Sequence, residues 1–106
     1  MRILPLPLKT VYFHEIDAGT KPFEYRLATP YWRTRLADRS YDFVMLMLAY
    51  PRRDDETRRM LKPWRGCLLH PRMTHPFFGL DEVAAFAIDV TGPSVPLSRL
   101  HADVGA

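Results

Sequence analysis

The chain has a single cysteine and no long apolar run. Cys67 is the only cysteine in 106 residues, which excludes an internal disulfide and removes any need for an oxidising compartment. The longest apolar run, residues 43–50, has eight residues, whereas a membrane helix needs about 20. Leucine alternates with proline near the N-terminus, unlike the apolar core of a signal peptide. These features predict a soluble, cytoplasmic protein with no membrane partner.

Glycine is scarce relative to proline, with five glycines and ten prolines. Proline ends helices and stays at strand edges, so this ratio argues against a helical bundle. We expect strands at 3–9, 23–27, 41–50 and 82–90, bent strand pieces over 61–74, and short helices at 11–18, 30–37 and 54–60. Both alternating faces of 41–50 are apolar, which predicts a central strand covered on both sides. The sequence therefore predicts an α+β fold around a small, strongly bent sheet.

Positive charge is concentrated in one segment. The chain carries 15 basic and 12 acidic side chains, a net charge of +3. Residues 51–72 contain seven basic and three acidic side chains, so this segment holds the whole excess. Twelve of the basic residues are arginine, whose planar fork suits phosphate binding and stacking on bases. A phosphate-binding patch and a solvated charged face with i, i+4 ion pairs are both compatible with this pattern.

Several short motifs resemble the opening of ASCH domains. They are Lys9–Phe13 followed by Ile16, the turn Ala18–Lys21, and the strand Glu24–Arg26. Pro30–Trp32, Arg35-Leu36, the apolar strand ending at Tyr50 and the closing strand 83–88 follow in the family's order. The cluster from Gly19 to Arg26 is the specific part, and the similarity covers about residues 3–90.

The resemblance implies a small β-barrel of the PUA-like type with two or three short helices. It places an ASCH-like domain at 1–90 and leaves 91–106 as a C-terminal tail, loose or packed on the surface. The family is associated with RNA binding, and some members hydrolyse nucleic acid or acetylated cytidine. The resemblance thus implies RNA, a nucleotide or a nucleoside as the ligand, while the oligomeric state stays open.

Three polar residues are candidates for a cleft. Lys21 follows a glycine turn, and Glu24 and Arg26 face the same side of a strand because they are two residues apart. Without a ligand, Lys21 would be an exposed loop lysine, and Glu24 and Arg26 would form a surface ion pair. With the resemblance, we expect Lys21, Glu24 and Arg26 to line the cleft, and Arg52, Arg53 and Arg65 to form its basic rim.

Aromatic residues could stack bases beside this cleft. Tyr50 and Trp64 are the candidates we retain, and Trp64 lies between Lys62 and Arg65 as in single-strand binders. Most of the other aromatic side chains are expected in the core. Trp32 in particular should lie inside, next to Leu36.

The alternative function is a small hydrolase of a modified nucleoside, such as an acylated cytidine, or a ribonuclease. In amidohydrolase-like ASCH members, a lysine, a threonine three residues later and a distant glutamate form the catalytic group. Lys21 matches the lysine, but Glu24 occupies the threonine position, so Lys21 would be the base and Glu24 its partner or the acid. The histidines lack metal-ligand spacing, and no glycine-rich phosphate loop or nucleophile elbow is present. The sequence therefore predicts no metal and no cofactor.

Overall fold

The computed structural model describes residues 1–101. In this range the chain forms six strands and two α-helices: β1 (Ile3–Leu8), α1 (Thr10–Asp17), β2 (Phe23–Leu27), α2 (Pro30–Leu36), β3 (Phe43–Leu48), β4 (Arg59–Pro63), β5 (Cys67–Met73) and β6 (Val83–Asp89). Short 3₁₀ turns lie at Glu56–Arg58, Pro76–Phe78 and Leu97–His101. The mixed α+β class predicted from the sequence is confirmed. No helix in 1–101 is long and apolar enough to cross a bilayer.

The first sheet has the order β1-β3-β4. Its central strand β3 runs parallel to β1 and antiparallel to β4. Val44, Met45 and Leu46 are consecutive and all buried, so both faces of β3 are covered as its apolar pattern predicts. Its central position in this sheet is confirmed.

The second sheet is antiparallel, with the order β2-β6-β5. Strand β6 is its centre, and its residues 85–88 are buried. The register of β5 shifts between His70 and Met73, where Pro71 has no N–H to donate. The bulge expected in the bent segment 61–74 is therefore present. Phe86 and Ile88 join one hydrophobic core with the leucines of β1 and β3.

The two sheets are not closed into the expected barrel, because no backbone ladder joins them within residues 1–101. The edge chemistry of β1 explains this. Pro5 and Pro7 are two residues apart and therefore remove N–H donors from the same edge of the strand. Strand β1 pairs with β3 without interruption from Ile3 to Leu8. The edge of β1 that lacks the two N–H donors is therefore the one that faces away from β3. The Arg26 Nη2 bridges the gap instead, donating to the carbonyl of Pro7 at 2.7 Å.

Both α-helices begin and end close to their predicted limits. At the N-terminus of α2, the Thr29 hydroxyl accepts from the Trp32 amide at 3.3 Å, and Pro30 is the first helical residue. In α1, Thr10 is the first helical residue, and Lys9 precedes it without a side-chain cap. The helix ends at Asp17 with Ala18 as its C-cap, and the next residue, Gly19, has a φ of 80°, a conformation that glycine adopts without strain.

Residues 91–101 run back along the first sheet. The Val95 amide donates to the carbonyl of Leu61 at 2.9 Å, forming an isolated bridge with β4. The Lys62 Nζ donates to the carbonyl of Gly92 at 2.7 Å. Burial lowers the pKa of the Lys62 amine, partly offset by the nearby Asp17 carboxylate. The rest of the predicted tail, 102–106, lies outside the described residues.

Candidate ligand-binding site

A cavity of about 370 Å³ opens between the outer strands of the two sheets. Its lining comes from the end of β1, the first turn of α1, strand β2, the start of α2 and the β5–β6 connection. Seven of the lining residues carry aromatic rings: Tyr12, Tyr25, Tyr31, Trp32, His75, Phe77 and Phe78. The volume lies in the range of small-molecule sites, which are mostly apolar with a few polar groups. The absence of a β1–β2 ladder leaves the space that this cavity occupies.

The polar part of the lining is a buried carboxylate beside a guanidinium. Glu24 is only 5% exposed, and its Oε2 accepts from the Arg26 Nη2 at 2.9 Å. Its Oε1 accepts from the Tyr25 amide at 3.3 Å and lies 3.6 Å from the Lys21 Nζ. The three predicted head groups therefore meet at Glu24, as their spacing along the turn and β2 allows. We call Lys21, Glu24 and Arg26 the polar cluster.

Within this cluster, the amine of Lys21 is turned toward the protein. Its Nζ donates to the carbonyl of Phe23 at 2.6 Å. It also lies over two rings, 4.8 Å from the centroid of Tyr12 and 5.1 Å from that of Tyr25. Glu24 and Arg26 line the cavity, whereas Lys21 is behind the two tyrosines and outside the lining. Lys21 thus supports the wall of the cavity and neutralises Glu24 from the side away from the opening.

Arg26 retains donors that no described residue uses. The two hydrogen bonds that Arg26 donates to described residues both come from Nη2, one to Glu24 and one to the carbonyl of Pro7. Its Nε is buried and has no partner within residues 1–101. The guanidinium carbon lies 5.0 Å from the ring centroid of Trp32. A buried N–H without an acceptor is unfavourable, but this Nε is enclosed by the protein. A ligand acceptor in the cavity would therefore have to meet Nη1, because the described hydrogen bonds of the guanidinium use Nη2.

Trp32 is only partly buried, in contrast to the expected core position. It packs against the hydrophobic core and also lines the cavity. Its helical partner Leu36 takes the fully buried place, at 2% exposure. The first turn of α2, set by the Thr29 cap, therefore presents Tyr31 and Trp32 to the cavity.

The predicted residues Tyr50, Arg52 and Arg53 lie in the connection after β3. All three are exposed, Tyr50 to 86%. This connection starts beside the cavity, because the Ala49 amide donates at 2.9 Å to the carbonyl of Leu8, a lining residue. None of the three lines the cavity itself. They occupy an exposed loop that begins at its edge, in which Arg52, Arg53 and Arg58 are balanced by Asp54, Asp55 and Glu56.

Trp64 and Arg65 lie at the opposite end of the first sheet. The Trp64 amide donates to the carbonyl of Asp42, next to the start of β3. The cavity lies at the other end of this sheet, beside the last residues of β1, which runs parallel to β3. Trp64 packs on the core with its ring centroid 5.2 Å from that of Tyr41. The structure therefore does not bring Trp64 together with the polar cluster.

Arg65 faces Asp89, with 4.0 Å between Nε and Oδ2. Burial opposes ionisation of Asp89, but hydrogen bonds from Thr91 together with the charge of Arg65 lower the pKa of its carboxyl. This pair belongs to the β4–β5 turn and the end of β6. It is separate from the cavity lining.

Sequence reasoning missed most of the aromatic wall. Tyr12 lies off the buried face of α1, which carries Phe13 and Ile16. The segment His75–Phe78 lies between the predicted strands and carries no predicted site residue, yet three of its side chains line the cavity. Two consecutive phenylalanines in a short turn were the available signal, because apolar side chains in a connection need a surface to cover.

Comparisons with protein-family models, with curated proteins and with solved structures find no match to this chain.

Proposed function

We propose that this protein binds RNA or a nucleotide by holding one base in the aromatic cavity. The supporting observation is the combination of seven aromatic rings with a buried carboxylate and a guanidinium in the lining of one cavity. Base–aromatic stacking contributes about 1–3 kcal/mol per base. The Glu24 carboxylate would accept from a base N–H, and Arg26 would donate to a ring nitrogen or carbonyl of the same base.

The exposed arginines supply the electrostatic part of this proposal. Arg52 and Arg53 lie in a loop that starts at Ala49, next to the lining residue Leu8. Arg52 and Arg53 would contact phosphates attached to a base in the cavity and position the ligand without selecting its sequence. The neighbouring Asp54, Asp55 and Glu56 leave the loop as a whole without a net positive charge. Trp64 and Arg65 have no place in this arrangement, since they lie at the other end of the first sheet.

We also propose that the fold is an open variant of the PUA-like, ASCH-type architecture. The turn at Gly19 and the polar cluster lie beside the cavity, in the segment that carries the resemblance. In this view the Arg26 side chain replaces the missing β1–β2 ladder at Pro7. A cytoplasmic location, expected from the sequence, stays a prediction.

The alternative hydrolase function receives no specific support from the geometry. A catalytic base must reach the proton it removes, but the Lys21 amine contacts Phe23 and Glu24 behind the tyrosines. Burial raises the pKa of the Cys67 thiol, so this cysteine is not an activated nucleophile. We therefore propose binding and do not assign a reaction.

Fluorescence of Trp32 provides the test. The chain has two tryptophans, so a Trp64→Phe background leaves Trp32 as the only reporter in the cavity. Titration with the four nucleoside monophosphates and with short single-stranded RNA at low salt should quench it. No saturable quenching by any of these ligands would overturn the proposal.

Two variants of the β5–β6 connection localise the binding. Phe77 lines the cavity and is 53% exposed, so Phe77→Ala removes a wall without opening the core. It should weaken binding by about 5- to 150-fold, the equivalent of one stacking contact. Leu80, in the same connection, is 99% exposed and outside the lining. Leu80→Ala is the matched control and should bind like the parent protein; equal loss in both variants would refute the assignment of the cavity.

A further inference from the structure

The rings of the cavity are already in contact with the protein's own cations. Lys21 lies over Tyr12 and Tyr25, at 4.8 and 5.1 Å from their centroids. The Lys9 Nζ lies 4.4 Å from the centroid of Phe77. Lys21 is outside the lining of the cavity, whereas Lys9 is part of it.

The same arrangement recurs on the α2 side of the cavity. The Arg35 guanidinium lies 3.5 Å from the ring centroid of Tyr31, and that of Arg26 lies 5.0 Å from Trp32. Five of the seven lining rings thus have a lysine or arginine within about 5 Å of the centroid, the range of a cation–π contact.

This arrangement changes what the rings can attract. An aromatic face binds a cation through its negative quadrupole, and a protein cation on one face reduces the negative potential available on the other. Glu24 is the only acidic residue of the lining, and it is ion-paired with Lys21 and Arg26. A positively charged ligand would therefore meet rings whose negative potential is already reduced and a lining with a net positive charge from Lys9, Arg26 and Glu24.

We infer that the cavity selects uncharged or anionic planar bases and rejects bases that carry a fixed positive charge, such as N-methylated cationic nucleosides. This inference rests on the proposed function and specifies its ligand class. The cavity has the aromatic walls of a quaternary-ammonium site, but its electrostatics are opposite to those of such a site. Unmodified bases fit, because stacking on a polarised ring does not require charge on the ligand.

The test compares ligands that differ in charge while keeping their shape. At mildly acidic pH, where N1 keeps its proton, 7-methylguanosine is a cation with the charge on its imidazole ring, and 7-methyl-7-deazaguanosine is its uncharged isostere with the same methyl group and the same base-pairing edge. A pyrimidine comparison uses 3-methylcytidine, a cation, against uncharged 3-methyluridine. The pair used is the one whose unmodified nucleoside binds. We expect its uncharged methylated member to bind at least about tenfold tighter than its cationic member. The positive ligand and the lysine and arginine side chains around the cavity repel each other even at a high effective dielectric constant.

Variants of the ring-contacting cations give an independent readout. Arg35 contacts Tyr31 but lies outside the lining, so Arg35→Met removes charge without changing the wall. It should reduce the preference for the uncharged ligand. Arg39→Met is the control, because Arg39 is exposed just beyond α2 and makes none of the cation–π contacts described above; it should leave the preference unchanged.

The outcomes separate this inference from the proposed function. Equal affinities within the pair, or tighter binding of the cation, would overturn the charge selection while leaving base binding intact. A preference that Arg35→Met and Arg39→Met change equally would show an effect of net charge rather than of the polarised ring, and would also overturn it. Failure of every unmodified nucleoside and nucleotide to bind would refute the proposed function, and this inference with it.

Discussion

Replacing Glu24 by glutamine tests how the polar cluster is held together. The carboxylate is 7% exposed at the side chain, and its partners Lys21 and Arg26 are 9% and 18% exposed. At an effective dielectric constant of ~20, charges separated by 3.6 and 2.9 Å attract by roughly 5 kcal/mol each. The desolvation of each ion offsets most of this attraction in the folded protein.

Glu24→Gln keeps the shape of the side chain and an acceptor for Arg26, but it leaves two nearly buried cations without a counter-charge. Breaking a buried pair in this way destabilises proteins by about 3–5 kcal/mol. Because all three side chains keep some solvent access, we expect a loss near the lower limit, about 3 kcal/mol. A domain of this size has a total unfolding free energy of about 5–15 kcal/mol, so the variant should fold but unfold at clearly lower urea concentration.

Urea unfolding with an unchanged m-value measures this loss, and an exposed pair supplies the control. Glu82 is bonded to Arg72 at 2.7 Å, but the side chains are 54% and 80% exposed. Glu82→Gln should therefore change stability by less than about 1 kcal/mol. In a double-mutant cycle, Lys21→Met should recover part of the Glu24→Gln loss, because it removes one of the two uncompensated charges. Equal small losses for Glu24→Gln and Glu82→Gln would refute the view that the cluster is desolvated.

Two further predictions concern Lys62 of β4, outside the cavity lining, and Thr29, the N-cap of α2. Burial lowers the pKa of Lys62 in the folded protein, although Asp17 partly opposes this shift. Between the lowered pKa and the ordinary value of 10.5, the unfolded chain binds more protons than the folded protein. The free energy of unfolding should therefore rise with pH in this window. Lys62→Met should remove this rise. Urea midpoints of the parent protein and the variant, measured from pH ~8 to ~11, test this prediction. If the two midpoints change with pH in parallel, the prediction is wrong. Thr29→Ala deletes the acceptor of the Trp32 amide and should destabilise the protein by about 0.5–2 kcal/mol. Urea unfolding checks this value, and unchanged stability would show that the cap contributes nothing.

The elements that the sequence predicts well are those specified by neighbouring residues. Strand β3 follows from apolar side chains on both of its faces, and Val44, Met45 and Leu46 are all buried. Helix α2 follows from Thr29 and Pro30, a cap and a residue with preset φ. In both cases the relevant interactions lie within a few residues of one another.

The features that escaped prediction depend on contacts between distant segments. The cavity wall combines Tyr12 of α1, Trp32 of α2 and Phe77 of the β5–β6 connection, and no local pattern relates these positions. The spacing of Glu24 and the two basic residues correctly brings their head groups together, but it does not determine which way the Lys21 amine points. That direction depends on two tyrosine rings, one of them on another element.

The composition of the polar cluster itself favours a ligand. A buried ion network is seldom more stable than apolar residues of the same size, because its desolvation offsets its attraction. Here the network also leaves the Arg26 Nε buried without an acceptor, which is a further cost to stability. The Nη2 bond to Pro7 accounts for one donor of this guanidinium as a bridge between the sheets, but it does not account for Nε. The Glu24 carboxylate already has partners in Arg26, Lys21 and the Tyr25 amide, so a ligand would add contacts to it rather than satisfy an orphaned group. We assign the polar cluster to binding, rather than to stability alone, because Glu24 and Arg26 both line the cavity.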